Sequence, residues 1–304
     1  MIKIAVSSVW YPLSISRYFL SALQARTDLD VFAVGPYTKH WIPWKGGMFV
    51  PEKYAIPPDL PLDATYIQLR TAPVKLIEAA LPWTPDVFLQ LDSTWFLQPK
   101  PPAIKAVAHV AIDPHVIDYR SARLQSDYFY NMQFSYLTPN DRYLPYCASE
   151  QHHFPEHQEK QYDVAMIGLA YDNRTSLAQY LTHKGLKVFF DLGYIFDEYR
   201  QITCQSRCVV SWSSRLDLIA RVFEAMAMKV PLVTNRIPAL DRHFIEDEHY
   251  LGFISREEAY SQVNWILQHP KEAMEMAERA YVEVMAKHTY RQRINTILED
   301  IYGN

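Results

Sequence analysis

Apolar and polar positions change period along the chain in an ordered way. Ile2 to Val6 alternates as a strand does, the stretch near Ile15 to Ala25 repeats at helical spacing, and Val31 to Val34 reads as a second strand. This is β-α-β spacing. A loop punctuated by proline, from Pro36 to Pro61, follows. Short apolar runs come next at Thr65 to Leu69, Val87 to Leu91, Val107 to Ile112 and Tyr128 to Tyr130, each predicted to be a buried parallel strand.

The alternation then starts again. Strands are expected at Asp163 to Ile167, Val188 to Asp191, Cys208 to Trp212 and Pro231 to Thr234, with helices between them at Asn173 to His183, Asp197 to Cys204 and Leu218 to Met228. Beyond Arg256 the pattern is helical to the end, broken at Pro270 and again near Lys287 and His288. Tyr290, Ile294, Ile297 and Ile301 fall on one stripe of the last helix, which needs an apolar surface to cover it. The fold class expected is α/β, with two Rossmann-like doubly wound domains joined near residues 148–160 and facing a cleft, plus a helical C-terminal tail. The expected divisions are residues 1–155, 156–285 and 286–304, the last packing back on the first.

Composition agrees with the division into halves. Of the 20 prolines, 17 lie at or before Pro155. At 304 residues, 49% hydrophobic and 21% charged, the chain is long enough for two cores and is neither disordered nor a coiled coil. No apolar run reaches the length of about 18 residues needed to span a bilayer, and Met1 to Ala25 reads as strand then helix rather than as a signal peptide. Three cysteines, Cys147, Cys204 and Cys208, are too few for a disulfide framework and suit a reducing cytoplasm. A net charge of −4 provides no general attraction to nucleic acid or anionic lipid.

Glycine is scarce, at 8 residues, and neither G-x-G-x-x-G nor a P-loop occurs. Any phosphate must therefore be held by helix N-termini and arginines. The segment 215–229 supplies the most informative candidates. At about 100° per residue, Asp217, Arg221 and Glu224 share one helical face, while Ile219, Val222, Phe223 and Met226 share the opposite one. Two readings stay open. One is a solvated face with intrahelical ion pairs worth about 0.2–0.5 kcal/mol each. The other places the stripe against a ligand, with Arg221 and the helix N-terminus on a phosphate and Glu224 accepting both hydroxyls of a ribose.

Several of these motifs resemble a family. Asp217-Leu-Ile-Ala-Arg-Val-Phe-Glu-Ala-Met-Ala, Pro231-Leu-Val-Thr-Asn-Arg, Phe244 with Glu248-His249-Tyr250, and His288-Thr-Tyr-Arg-Gln-Arg are similar to the CgeB-like group of GT-B glycosyltransferases, with a group 1 type C-terminal domain. Tyr162-Asp-Val-Ala-Met-Ile-Gly with Arg174, Leu144-Pro-Tyr-Cys-Ala and Ile112-Asp-Pro-His extend the resemblance upstream. It implies an enzyme that moves a sugar from a nucleotide-sugar donor, UDP-linked, to an unidentified acceptor hydroxyl without a metal or other cofactor. In GT-B enzymes this helix carries an acidic pair for the donor sugar and the ribose. The usual first position falls here on Leu216, so Asp217 stands in for it, beside Arg215. The alternatives are an epimerase of nucleotide sugars with the same two-domain shape, or a non-catalytic sugar- or nucleotide-binding protein.

Other residues follow from position at strand ends. Gly168 and Arg174 bracket a turn of the kind that binds phosphate, and Thr234 with Asn235 lies at the next strand end. Tyr194 is placed to stack on a nucleobase, the plainer alternative being that it packs, as most tyrosines in a chain with 21 of them do. Asp92, Asp113 and His115 follow strands of the first half, where a base for the acceptor hydroxyl would sit; capping of the loop before Pro114 is the plainer alternative. His152, His153 and His157 with Glu150 and Glu156 match no established zinc spacing and read as a solvated linker. The acceptor stays open among carbohydrate, protein, small molecule and modified DNA base.

Overall fold

The computed structural model describes residues 1–11, 13–35, 81–92, 100, 102–115, 117–213 and 215–303. The proline-rich loop from Pro36 to Pro61 and the strand expected at Thr65 to Leu69 lie outside the described residues. The chain divides into two compact units, residues Met1–Pro145 with Arg293–Asn304, and residues Tyr146–Gln292. Each is built on its own parallel sheet, and the fold is α/β, with eight helices among the described residues.

The first unit carries a six-stranded sheet: β1 (Ile2–Ser8), β2 (Leu29–Val34), β3 (Val87–Leu91), β4 (Ala106–Ala111), β5 (Tyr128–Asn131) and β6 (Arg142–Tyr143). Its order is β2-β1-β3-β4-β5-β6. Strands β3 and β4 are buried at every position, which is why their sequences run apolar without alternating. Gln90 and His109 are register partners in that interior, and the Gln90 Oε1 lies 3.2 Å from His109 Nδ1. Burial holds the His109 imidazole down to about 3, so the ring is neutral.

The second unit carries a five-stranded sheet: β7 (Tyr162–Ile167), β8 (Val188–Asp191), β9 (Ser206–Ser211), β10 (Leu232–Asn235) and β11 (Leu251–Phe253), in the order β11-β10-β9-β7-β8. Helices Asp172–His183, Phe196–Cys204, Ala220–Ala227 and Arg256–Gln268 connect or follow these strands. In both sheets the second connection reverses the direction of winding. The reversal falls between β1 and β3 in the first unit and between β7 and β9 in the second. Ligands of open α/β sheets bind outside the carboxyl ends of strands at such points.

The three C-terminal helices are Arg256–Gln268, Pro270–Lys287 and Tyr290–Tyr302, interrupted where Pro270 and His288 lie. The stripe on the last one, Tyr290, Ile294, Ile297 and Ile301, is buried throughout. Within the first unit this helix is fastened by polar contacts as well: Asp300 accepts from Tyr130 at 2.9 Å and pairs with Arg142 at 2.5 Å. Arg293 donates to the Pro145 carbonyl at 2.6 Å, and Arg26 to Asn295 at 2.6 Å. Among the described residues no helix is long and apolar enough to cross a membrane.

Because Ile297 is 3% exposed, Ile297→Ala is expected to cost about 2–5 kcal/mol of stability, through lost transfer energy and the cavity left behind. Urea unfolding measures it. A cost below about 1 kcal/mol would mean that the stripe is peripheral to the core.

Candidate functional site

At the β7/β9 reversal the chain brings two arginines to one turn. Gly168 follows β7 with φ +143°, a backbone conformation that side chains other than glycine's rarely take, and its N–H donates to the Asp191 carbonyl at 2.9 Å. A Cβ on Gly168 would lie 2.2 Å from Nη2 of Arg221 and 3.5 Å from Nη1 of Arg174. The absent side chain is what lets Arg221 lie against the turn. Arg174, in the first turn of the helix that follows, donates through Nε to the Trp212 carbonyl at 2.8 Å and through Nη1 to the Leu169 carbonyl at 3.3 Å.

These bonds fix the Arg174 guanidinium but do not balance its charge. Among the described residues neither Arg174 nor Arg221 makes a direct ion pair; Asp217 acts on Arg174, and Arg221 on Glu224, only at longer range. Burial first, and then the neighbouring Arg221 charge, lower Arg174 to about 10, a low value for arginine. Arg221 Nε is buried without a hydrogen-bond partner. Nor does either adjoining helix have a side-chain N-cap: Tyr171 precedes one and Ile219 the other, both in extended conformation. Two N-terminal sets of backbone N–H groups thus stand beside two cations, a combination that favours an anion.

Glu224 corrects one of the two readings of its helix. It is buried, not solvated, and Oε2 accepts from the Tyr199 hydroxyl at 2.8 Å. His153 Nε2 lies 3.8 Å from Oε1. Burial raises the affinity of this carboxyl group for a proton, while the Tyr199 hydrogen bond and the Arg221 charge oppose the rise.

The helix itself is shorter than the 218–228 expected from periodicity. It spans Ala220–Ala227, so Asp217 lies in the loop before it and does not share its face with Arg221 and Glu224. The reason is local. Leu216 takes a left-handed φ of 56°, Ile219 is extended, and Asp217 is turned back onto Ser213, whose hydroxyl accepts the Asp217 N–H at 2.9 Å and donates to its carboxylate. Arg215 is exposed in the same loop.

The remaining candidates separate. Thr234 is fully buried. Asn235 is occupied in holding the end of β9: its Oδ1 accepts the Ser213 N–H at 2.7 Å and its Nδ2 donates to the Ser213 carbonyl at 3.3 Å. The Asn235 side chain therefore ties the ends of β9 and β10 together. Tyr194 lies half-buried beyond β8, edge-on to Phe189 with its hydroxyl 3.3 Å from Asp191. The linker reading fails at His153, which is completely buried, while His152 packs on Phe196 at 4.7 Å. Tyr199 and His153 contact Glu224, and Ser213 contacts Asp217, contacts that the sequence did not reveal. Tyr199 carried no distinguishing signal, since its partner is 25 positions away.

In the first unit, Asp92 ends β3 at the β1/β3 reversal, with a left-handed φ of 50°. Its Oδ1 accepts from the Tyr119 hydroxyl and from the Asp113 N–H, the latter at 3.4 Å. Burial, reinforced by the Asp92 charge, raises the Tyr119 phenol well above its usual range, so it donates and does not ionise. Asp92 and Asp113 are thus brought together, while His115 packs near Tyr136 with ring centres 6.0 Å apart.

Comparison with known proteins bears on the fold. Residues 156–299 match the family described as glycosyl transferase-like. An alpha-glucosyltransferase solved with UDP and a 13-mer DNA containing a central A:G mismatch is similar in fold, with a TM-score of 0.67 at 11% identity over 99% of this chain and 100% of that one. HepE of Anabaena, solved with UDP and glucose, gives 0.61 at 12% identity, with 100% of each chain covered. Sucrose-phosphate synthase from Thermosynechococcus elongatus gives 0.57 at 12% identity, again with 100% of each chain covered. No curated protein matches the chain in sequence. Residues 156–299 thus resemble the glycosyl transferase-like family, and the fold is of the two-sheet α/β type seen in these structures.

The turn at Gly168 yields a direct test. Gly168→Ala both strains the backbone, by about 1–3 kcal/mol, and displaces Arg221. It is expected to lower the melting temperature by several degrees, which thermal unfolding measures. An unchanged melting temperature would show that Arg221 leaves the turn without cost.

Proposed function

We propose that the protein transfers a sugar from a UDP-linked donor to an acceptor hydroxyl, and that residues Tyr146–Gln292 hold the donor. The observation that carries this reading is the pair of guanidinium groups, Arg174 and Arg221, packed at the β7/β9 reversal with no carboxylate paired to them among the described residues. A diphosphate supplies the missing charge, and the uncapped helix ends beside it supply N–H donors. The positive charge comes from the protein, so donor binding needs no metal. Glu224 accepts the ribose hydroxyls, Tyr194 faces the base, and Asp217 borders the sugar. The motif pattern resembles that of the CgeB-like group, and three free, buried cysteines suit the cytoplasm.

In the transfer, the bond between the anomeric carbon and the phosphate oxygen breaks, leaving negative charge on the departing UDP. Arg174, Arg221 and the two helix N-termini stabilise that charge as it forms. The acceptor oxygen bonds to the anomeric carbon and its proton passes to a base. Asp92 is the first choice for that base, with Asp113 and His115 as the others.

The reading is tested by incubating the protein with UDP-sugars and candidate acceptors and measuring free UDP. Acceptor-dependent release of UDP is expected. Epimerised donor without UDP, or binding without turnover, would overturn it. Asp92→Asn should lower turnover by about 100-fold or more while leaving UDP affinity unchanged. Equal turnover in the variant would remove Asp92 from the role of base.

A further inference from the structure

Glu224 is held by groups from segments other than its own helix. Tyr199, on helix Phe196–Cys204, donates its hydroxyl to Oε2 at 2.8 Å. His153, from the segment before β7, brings Nε2 to 3.8 Å from Oε1 and meets the Tyr199 ring edge-on at 5.9 Å. Its Nδ1 accepts the Ser149 N–H at 3.1 Å, so the neutral ring carries its proton on Nε2, the nitrogen nearer the carboxylate.

Arg200, adjacent to Tyr199, fastens that segment to the helix. It donates to Glu156 at 2.9 Å and to the His152 carbonyl at 3.3 Å, and its guanidinium lies 4.0 Å from the centre of the Phe154 ring. Tyr199 is itself buried, and its phenol reaches a carboxylate from which most solvent is excluded. A hydroxyl that donates to one carboxylate oxygen favours the ionised form and fixes the plane of the group.

We propose that Tyr199 is a positioning residue for nucleotide recognition, its hydroxyl keeping the Glu224 carboxylate ionised and oriented to accept the ribose hydroxyls of the donor. This rests on the ribose role given to Glu224 above. Among the described residues, the titratable and charged groups facing that carboxylate are Tyr199, Arg221 and His153. Burial drives Glu224 towards its protonated form, and Tyr199 and Arg221 oppose it. His153, held down to about 3 by burial and the Arg200 charge, stays neutral and adds no counter-charge. Without the Tyr199 hydroxyl the carboxyl group binds a proton at higher pH. It then presents an O–H where the ribose needs an acceptor, so affinity for the nucleotide is lost as the pH falls.

UDP titrated calorimetrically into wild type, Tyr199→Phe, Glu224→Gln and the double variant, from about pH 5 to about pH 8, tests this. The phenylalanine ring keeps the packing against His153 and removes only the hydroxyl. Tyr199→Phe is expected to bind UDP about tenfold more weakly near pH 6, with its loss of affinity beginning at a higher pH than in wild type. Glu224→Gln should be weak at every pH, and the double variant no weaker than Glu224→Gln alone. The proposal is overturned if Tyr199→Phe parallels wild type across the pH range. It is also overturned if the phenylalanine costs the same factor with glutamine at 224 as with glutamate, which is what a purely structural role would give. Wild-type affinity in Glu224→Gln would instead bring down the ribose role itself, and the inference with it.

Discussion

The close approach of Arg221 to the Gly168 backbone is the contact on which the rest of the site depends. A glycine with φ +143° leaves room for a guanidinium group at the end of β7, and Arg174 fills the neighbouring position while bonding the Trp212 and Leu169 carbonyls. Two like charges are thereby held together, one of them largely out of water, and burial with mutual repulsion lowers Arg174 to about 10. Such an arrangement is costly without an anion and favourable with one. The scarcity of glycine in the chain, 8 in 304, agrees with this solution. A glycine-rich loop is absent, and arginines and helix ends are gathered instead around a single glycine.

The carboxylate side of the site follows the same logic in reverse. Glu224 is buried, so its ionised form must be stabilised by nearby donors and charges, and these arrive from helix Phe196–Cys204 and from Arg221 one turn earlier on its own helix. Asn235 holds the end of β9 through Ser213, and Ser213 in turn holds Asp217, so the loop leading into helix Ala220–Ala227 is set by side chains at the ends of two adjacent strands. The positions of the candidate groups are therefore properties of the sheet edge rather than of one helix.

Much of the fold is legible in the sequence because its strands are continuous apolar runs between turn residues, as at Val87–Leu91 and Val188–Asp191. Strands β6 and β11, of two and three residues, are too short to show a period. Arg174, Arg221 and Glu224 were legible from strand-to-helix spacing and from resemblance. Their environment was not. Periodicity continued through Asp217 because the pattern cannot register a left-handed Leu216 or a serine that turns the chain. His153 looked solvated because its neighbours are polar, yet Arg200, some 47 positions on, draws that segment inward through Glu156 and the His152 carbonyl. Thr234 and Asn235 sat at the expected strand end but spend their side chains on the protein itself.

The central claim is that paired arginines hold a diphosphate, and the difference in affinity between UDP and uridine measures it most directly. In the presence of a chelator, wild type is predicted to bind UDP at least about 100-fold more tightly than uridine, since charge-assisted bonds to phosphate are worth about 1.5–3 kcal/mol each. Replacing both Arg174 and Arg221 by alanine should bring the two affinities together while leaving uridine binding intact. Equal binding of UDP and uridine by wild type would contradict the account, as would a preference for UDP that persists without the two arginines.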